Sequence, residues 1–265
     1  MCIVAFAWQL VDQLPLCLIS NRDEFYQRPT QSLSAWPNTD IFAGQDLQSG
    51  GTWMGVTAQG RWAIITNFRE GGEQTDYSTS RGHLIQQFLS STQTPIRFAQ
   101  ALEQKQCDYA GFNLFMGDLD QAVYMSNRGE AAQILSPGVY VLSNGQLSEA
   151  WAKTTHLRKR FTQELLPLLV TADTAMQQQD LVWDILQDQR QVAAELLPDT
   201  GISTEMEQLL SSTFIQSPMY GTRCSNFLCI GTGQIDWLEK QQQGESQGQV
   251  KLLEIAIKKS DDLKP

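Results

Sequence analysis

Hydrophobic residues at the start of the chain occur in short continuous runs, and this pattern predicts β-structure. Residues 2–9 and 16–20 are apolar runs, separated by a segment that contains Asp12, Gln13 and Pro15. A polar break of this length between two apolar runs favours a hairpin. The sequence therefore predicts two antiparallel strands, with the end of the second lying beside the start of the first.

The rest of the chain alternates between strand-like and helix-like patterns. The predicted elements are, in order, a hairpin over 52–57 and 61–66, helices over 81–89 and 95–104, strands over 112–116, 122–126 and 139–143, helices over 148–165 and 172–186, and strands over 223–230, 234–239 and 250–257. Residues 28–51 and 191–220 are predicted to be irregular.

Hairpins join most of these strands, so we expect mainly antiparallel sheets with helices packed outside them. The fold class is therefore α+β. We expect one domain over residues 1–265, with a tail that frays from about residue 258.

Charge narrows the range of partners. The chain has 19 Lys and Arg against 29 Asp and Glu, a net charge of −10 at pH 7. The resulting field repels nucleic acid and anionic membranes, and no apolar run approaches the length of a membrane span. We expect no nucleic-acid partner and no stable insertion into a membrane.

The cysteines indicate a reducing compartment. Their number is odd and they form no CxxC pair: Cys2, Cys17, Cys107, Cys224 and Cys229. With only two histidines to add, a structural metal site is not expected. The start of the chain lacks the positive charge of a signal peptide. The sequence favours a cytoplasmic protein.

Cys2 is the first candidate for chemistry. Methionine aminopeptidase normally removes a Met that precedes a residue as small as Cys, and removal of Met1 would place a thiol and a free α-amino group on one residue. An N-terminal amine can act as general base for its own side chain, because its reference pKa is roughly 8. The alternative is that Cys2 is a small buried hydrophobe.

A run of four polar residues, Asn21, Arg22, Asp23 and Glu24, follows the second predicted strand. The run is either a solvent-exposed turn or the lining of a site at the ends of the strands. The hairpin places it beside Cys2, which favours a site. On an extended strand alternate residues share a face, so Asn21 pairs with Asp23 and Arg22 with Glu24.

Several motifs together resemble one known family. They are the Met-Cys-Ile start, NRDE at 21–24, GGTWMGV at 50–56, TNF at 66–68, GFNL at 111–114, NRG at 127–129, LSN at 142–144 and YGTR at 220–223. This set, spread over residues 1 to about 240, resembles the NRDE family, also called the transport and Golgi organisation protein 2 family. The resemblance implies an N-terminal nucleophile (Ntn) hydrolase fold, a four-layer αββα sandwich. It also implies a role in haem trafficking, lipid and acyl-coenzyme A metabolism or Golgi organisation.

The cysteine branch of that fold implies a catalytic set. Cys2 would be the nucleophile, and Asp23 would anchor its α-amino group. Asn67 and Asn144 would donate to an oxyanion, and Arg223 would approach the thiolate. The acylase branch separates its first Arg and Asp, whereas Arg22 and Asp23 are adjacent here and are expected to point to opposite faces.

Two functions remain open. The first is an N-terminal cysteine hydrolase that cleaves an amide or thioester of a small acyl substrate and requires no cofactor. The second is a non-catalytic carrier of a small amphipathic metabolite, haem or acyl-coenzyme A, held by Asn21, Arg22 and Glu24. His83 and His156 are then the candidate haem-binding imidazoles, and a haem ligand through Cys2 is an alternative.

Overall fold

The computed structural model describes residues 2–71, 77, 79–129, 131–171 and 175–258, and its framework is a pair of β-sheets. Along the chain the strands are β1 (Cys2–Val11), β2 (Leu14–Phe25), β3 (Thr30–Ala35), β4 (Ile41–Asp46), β5 (Met54–Thr57), β6 (Trp62–Asn67), β7 (Phe112–Gly117), β8 (Ala122–Ser126), β9 (Gln133–Ile134), β10 (Gly138–Leu142), β11 (Tyr220–Ile230), β12 (Gln234–Gln241) and β13 (Val250–Ala256). The first sheet has the order β10-β1-β2-β11-β12-β13 and the second runs from β3 to β9 in sequence order. The neighbouring strands within each sheet are antiparallel.

Helices cover the outer faces of both sheets. They are α1 (Gly82–Leu89), α2 (Pro95–Glu103), α3 (Ala152–Arg160), α4 (Leu166–Thr171), α5 (Gln179–Leu186) and α6 (Thr204–Leu209). A π-helical turn, Phe161–Leu165, joins α3 to α4. The predicted start of α2 is confirmed, because Pro95 occupies its first turn, where a missing N–H costs nothing.

Three hydrophobic cores define the layers. The central core lies between the sheets and contains Phe6, Trp62 and Phe115. A second core joins the second sheet to α1 and α2, and a third joins the first sheet to α3, α4 and α5. The alternation of side chains along each strand supplies both faces, so each sheet is buried on two sides. The predicted four-layer αββα, α+β sandwich is confirmed.

Some predicted boundaries are wrong. Residues 28–51 contain β3 and β4, which the pattern missed because each strand has only six residues and polar positions dominate β3. The predicted helix over 148–165 begins only at Ala152 and includes the π-helical turn. The predicted fraying of the tail concerns residues 259–265, which lie outside the described residues, as do 172–174 of the predicted helix over 172–186.

Candidate active site

Cys2 is the first residue of β1, at one end of the central strands. In the first sheet Cys2 lies opposite Arg22 of β2, and Arg22 in turn lies opposite Cys224 of β11. Cys2 belongs to the core between the sheets and is 5% exposed. The predicted hairpin therefore brings the polar run of β2 directly beside the thiol.

The polar run lies within β2 and is not a turn, because the strand extends to Phe25. Strand alternation directs Asn21 toward the helical layer. Its side-chain amide donates to the carbonyls of Leu186 and Thr213, at 2.8 and 2.9 Å, and it accepts from Ser225. Asn21 is thus satisfied by protein groups on the far side of the sheet, which corrects its prediction as a ligand-binding residue.

A polar cavity of about 130 Å³ opens at this end of the sandwich. It lies between the start of β1, the end of β2, the loop before β5 and the start of α1. Its walls carry charged, polar and glycine residues together with one aromatic and one aliphatic side chain: Cys2, Arg22, Asp23, Glu24, Arg28, Asp46, Gly51, Thr52, Trp53, Ile65, Asn67, Ser80, Arg81 and Gly82. The only cysteine on this wall is Cys2, so the cavity presents one thiol to a small group.

Both Arg22 and Asp23 line the cavity, contrary to the expectation that adjacent strand residues separate. The physical reason is a β-bulge in the facing strand. The register of β11 against β2 shifts between Thr222 and Cys224, which leaves Arg223 as the extra residue. A bulge increases the local twist and re-aims neighbouring side chains.

The same bulge carries Arg223 away from the thiol. Its guanidinium Nη1 donates to the carbonyl oxygens of Phe25 and Arg28, at 2.8 and 3.0 Å, and Arg223 is absent from the cavity wall. The structure therefore does not support Arg223 as the arginine that approaches Cys2. Arg22, directly opposite Cys2, occupies that position.

Burial and the positive charge of Arg22 shift the pKa of the Cys2 thiol in opposite directions. Burial raises the pKa of the thiol above its ordinary value, and the neighbouring Asp23 raises it further, while Arg22 lowers it. Because the thiolate is the nucleophile, the arginine favours reactivity and the burial opposes it.

Asp23 connects the cavity to a buried lysine. Its carboxylate accepts a hydrogen bond from Thr222 Oγ1 at 2.7 Å. Burial raises the pKa of Asp23, while Thr222, Lys153 and Arg22 lower it. Lys153 is 6% exposed and donates from Nζ to the carbonyl of Leu210 at 2.8 Å. Burial outweighs these partners, so the pKa of Asp23 lies above its ordinary value.

The two residues that were predicted to donate to an oxyanion are joined by a hydrogen bond, but only one of them lines the cavity. Asn67 lines the cavity, whereas Asn144 does not. The side-chain amide of Asn144 donates to the carbonyl of Asn67 at 2.9 Å, and its oxygen accepts from Ser143 Oγ at 2.9 Å. The Arg69 backbone N–H donates to the carbonyl of Asn144 at 2.7 Å. Asn144 therefore holds the Asn67 backbone in place.

The two histidines are not on the cavity wall. His83 Nε2 lies 2.9 Å from the carbonyl of Ser49, and His156 Nε2 lies 2.9 Å from Asp188 Oδ2 on the helical side of the first sheet. The structure therefore separates both predicted haem-binding imidazoles from Cys2. Glu24, in contrast, does line the cavity.

The sequence reasoning missed several cavity residues. Arg28 lies at the start of the segment that was predicted to be irregular, yet its guanidinium bonds Asp46 at 2.6 Å. Trp53 lies beneath Arg22, with the guanidinium carbon 4.1 Å from the ring centroid. Arg81 was noted only as the start of a helix. No spacing signal links these residues to Cys2, because the sandwich brings them together from three separate hairpins and a helix.

The described residues contain neither a metal-binding cluster nor a membrane-spanning helix. Among residues 2–71, 77, 79–129, 131–171 and 175–258, no group of three or more His, Cys, Asp or Glu is placed to hold a metal ion. No helix in those ranges has both the length and the apolar character needed to cross a membrane.

The architecture defines an Ntn-hydrolase-like fold. A solved structure of a mutant conjugated bile acid hydrolase from Clostridium perfringens superposes on this chain with a TM-score of 0.51, covering 96% of this chain and 92% of that one. The two sequences are 8% identical, so the likeness shows the fold alone.

Sequence relatives identify the family. Residues 1–244 match the family described as Transport and Golgi organisation 2, to which the chain belongs. The Transport and Golgi organization protein 2 homolog of Homo sapiens is 31% identical over 244 residues, covering 85% of this chain and 86% of the relative. The Mus musculus homolog is 29% identical over 243 residues, with coverage of 85% and 86%. The predicted family resemblance is confirmed.

Proposed function

We propose that the chain is an N-terminal cysteine hydrolase that cleaves an amide or thioester bond of a small acyl substrate. One observation carries the proposal: the Cys2 thiol lines a polar cavity together with Arg22, Asp23 and Asn67. A nucleophile, a cation, a carboxylate and an amide in one small cavity are the groups that acyl transfer uses.

The proposed reaction begins once Met1 has been removed, so that the α-amino group belongs to Cys2. That amine accepts the thiol proton, and the sulfur forms a bond to the carbonyl carbon while an electron pair moves to the oxygen. Collapse breaks the bond to the amine or thiol leaving group, which takes the proton from the α-ammonium. Water then attacks the S-acyl carbon, releases the carboxylic acid and restores the thiol.

Each neighbouring residue has a role in this scheme. Asp23 anchors the α-ammonium group that forms when the amine accepts the proton. Arg22 stabilises the thiolate, in place of Arg223. Asn67 donates to the tetrahedral oxyanion, and Asn144 acts through Asn67 as a positioning residue because it bonds the Asn67 carbonyl.

A non-catalytic carrier is the second candidate, and one observation favours it. Burial raises the pKa of the Cys2 thiol, which reduces the thiolate that catalysis needs. The occupant would be an amphipathic metabolite such as acyl-coenzyme A. Three exposed apolar side chains, Phe25, Leu47 and Met219, lie close to cavity residues along the chain or in the fold. Phe25 and Leu47 directly follow cavity residues, and Met219 precedes Tyr220, whose ring contacts that of Phe25. These side chains would receive an acyl chain.

The size of the cavity limits which molecule could be bound under either proposed function. Pockets that enclose a drug-sized molecule occupy about 300–1,000 Å³. At about 130 Å³ this cavity takes only the polar head of a larger molecule. It does not fit an enclosed haem, and the two histidines lie elsewhere, so haem would have to lie across the mouth with Cys2 as its nearest soft ligand.

A cytoplasmic place of action belongs to the same proposal. All five cysteines are free, and a reactive thiol at the start of the chain persists best where glutathione keeps thiols reduced.

The first test is the intact mass of the protein, with labelling by a mild thiol alkylator. We expect loss of Met1 and fast labelling of one site that Cys2→Ala abolishes. Cys107→Ala is the matched control, because Cys107 is an exposed thiol outside the cavity. Its loss should leave the fast site intact.

The outcomes separate the two candidates. Turnover of an acyl amide or thioester that Cys2→Ala removes by at least about a thousandfold supports the hydrolase. Retention of Met1, or turnover that survives Cys2→Ala, contradicts it. If Cys2 is inert, saturable binding of acyl-coenzyme A or haem at micromolar concentration would support the carrier function. If neither ligand saturates the protein, the carrier function is contradicted.

A further inference from the structure

Three arginines line the cavity, and of these three only Arg28 has a carboxylate oxygen of a described residue within 4.0 Å. Arg28 lies 2.6 Å from Asp46 and 3.8 Å from Glu24. Within the described ranges, neither Arg22 nor Arg81 has a carboxylate oxygen within 4.0 Å. Two cations at the wall of one small cavity are therefore available to a charged guest.

Arg22 is fixed in place with most of its hydrogen-bonding capacity unused. Only 4% of the residue is exposed, yet its one side-chain hydrogen bond to a described residue is from Nη1 to Thr30 Oγ1, at 3.0 Å. Its guanidinium carbon lies over the ring of Trp53, 4.1 Å from the ring centroid. A guanidinium has five N–H donors, and burying a charge without partners is costly. The remaining donors can serve a group inside the cavity.

Arg81 occupies the opposite wall, at the start of α1. Its Nη1 donates to the carbonyl of Gly111 at 2.7 Å, which holds the side chain beside the start of β7. Gly82 follows it, on the wall beside Gly51. A Cβ added at Gly51 would lie 2.6 Å from the Gly82 carbonyl carbon, so these two backbones touch. The positive end of the α1 dipole thus reaches the same wall.

The carboxylates of the cavity are already engaged. Asp46 bonds Arg28, and Asp23 accepts from Thr222. Glu24 accepts from the backbone N–H of Phe25 and lies near Arg28. Each therefore has a partner that reduces its effect on a bound group.

We propose that the cavity recognises a substrate with an anionic group, a carboxylate or a phosphate, close to the acyl carbon that Cys2 attacks, and that Arg81 and Arg22 bind that group. Arg81 is the specificity-determining residue, because Arg22 also serves the thiolate. The planar fork of arginine suits either anion. This inference rests on the proposed function in one respect, namely that Cys2 is the residue that reacts with the substrate.

The anion preference can be measured without knowing the substrate. Iodoacetate and iodoacetamide both form a bond from the thiolate sulfur to carbon and expel iodide, and they differ mainly in the charge of the group beside that carbon. We expect the rate ratio of iodoacetate to iodoacetamide at Cys2 to exceed the ratio at Cys107 at least about tenfold. Cys107 is exposed and serves as the internal reference.

Two substitutions test Arg81. Arg81→Gln should lower the ratio at Cys2 about tenfold and change the iodoacetamide rate less than about twofold. Arg81→Lys keeps the charge and should keep most of the ratio. Arg97→Gln is the matched control, because Arg97 is exposed on α2 and outside the cavity. A ratio unchanged in Arg81→Gln overturns the inference.

Calorimetric titration gives a readout that does not need a reactive thiol. Glutarate or inorganic phosphate should bind the native protein at least about tenfold more tightly than neutral glutaramide, and Arg81→Gln should remove the difference. Preference for phosphate over glutarate identifies a phosphate source, and the reverse identifies a carboxylate. Equal binding of all three contradicts the inference. If Cys2→Ala abolishes turnover but Arg81→Gln does not change it, the proposed hydrolase function is supported and this inference is wrong.

Discussion

At the scale of single residues, two physical effects act on the proton of Cys2. Burial holds it on the sulfur, and Arg22 on the neighbouring strand favours its loss. The arginine that lowers the pKa of the thiol is therefore the residue opposite Cys2 in the sheet, and not Arg223, the arginine that the family resemblance implies. Its displacement follows from one extra residue in β11.

The buried Lys153 gives stability a distinctive dependence on pH. Burial lowers its pKa from 10.5 to about 7, and the nearby Arg69 lowers it too, while Asp23 and Glu207 oppose that shift. Between these two values the unfolded chain holds a proton that the folded chain has released. Because the unfolded state binds more protons, this group makes the free energy of unfolding rise with pH across that window.

We therefore expect the free energy of unfolding of the native protein, minus that of Lys153→Met, to increase by roughly 1 kcal/mol or more between pH 7 and pH 9.5. Urea denaturation at each pH measures it. Lys105→Met, at an exposed position after α2, is the control for the loss of any lysine. A difference that stays flat or falls with pH would contradict a lysine that is charged only in the unfolded chain.

The sequence predicted the residues of the site that lie on the first hairpin. Cys2, Arg22, Asp23 and Glu24 meet because strand pairing is a local consequence of the hairpin. Asn21 and Asn144 are not on the cavity wall, because their side-chain amides donate to backbone carbonyls, and the sequence does not show such pairings. Their amides serve packing and positioning.

At the scale of elements, β2 carries the polar run of the site. It lies between β1 and β11, so Asn21 and Arg22 are paired on both sides, and Asp23 and Glu24 are paired with β11. The sequence predicted the hairpin but ended the second strand at residue 20, because four polar residues resemble a turn. They remain in the strand because both of its faces supply polar partners at that end.

A buried ion pair fastens α6 to the loop after β6. Arg69 Nη1 lies 2.6 Å from Glu207 Oε2, and each side chain is 4% exposed. The Arg69 backbone also bonds Asn144, so the pair connects the segment around α6 to the residues beside the cavity. Removing one partner leaves the other charge buried and uncompensated.

Glu207→Gln should therefore lower the free energy of unfolding by about 3–5 kcal/mol, as measured by urea denaturation. The exposed pair of Lys258 and Asp40, 3.8 Å apart, provides a matched comparison, and Asp40→Asn should cost less than about 1 kcal/mol. Equal, small effects of both substitutions would show that the α6 segment is not fastened through this pair.

At the scale of the whole molecule, the two sheets share one aromatic core. The ring of Phe6 lies 5.0 Å from that of Phe115 and 5.7 Å from that of Trp62, so one side chain of the first sheet contacts two of the second. The sequence predicted the layers from strand alternation and the family resemblance. It did not predict β3 and β4, since only Leu33 of β3 is fully buried and gives little periodic signal.

Phe6→Ala should cost about 3–5 kcal/mol, through lost burial and the cavity that remains. Leu47→Ala removes a side chain that is 52% exposed and should cost less than about 1 kcal/mol. Tryptophan fluorescence and far-ultraviolet circular dichroism should report one shared transition for Phe6→Ala. Two separated transitions would show that the sheets unfold independently.

The pairing of Cys2 with an internal strand also decides how the protein should be handled in the laboratory. Because β1 begins at the cavity, a peptide fused ahead of Cys2 emerges beside the thiol and removes the free amine that the proposed chemistry needs. The other end of the described chain is better suited to carry a fused peptide. The backbone N–H of Lys258 donates to the carbonyl of Ala58, in the turn between β5 and β6. The cavity lies at the opposite ends of those two strands. An affinity handle therefore belongs after residue 258, and the proposed activity should be assayed on protein that begins at Cys2.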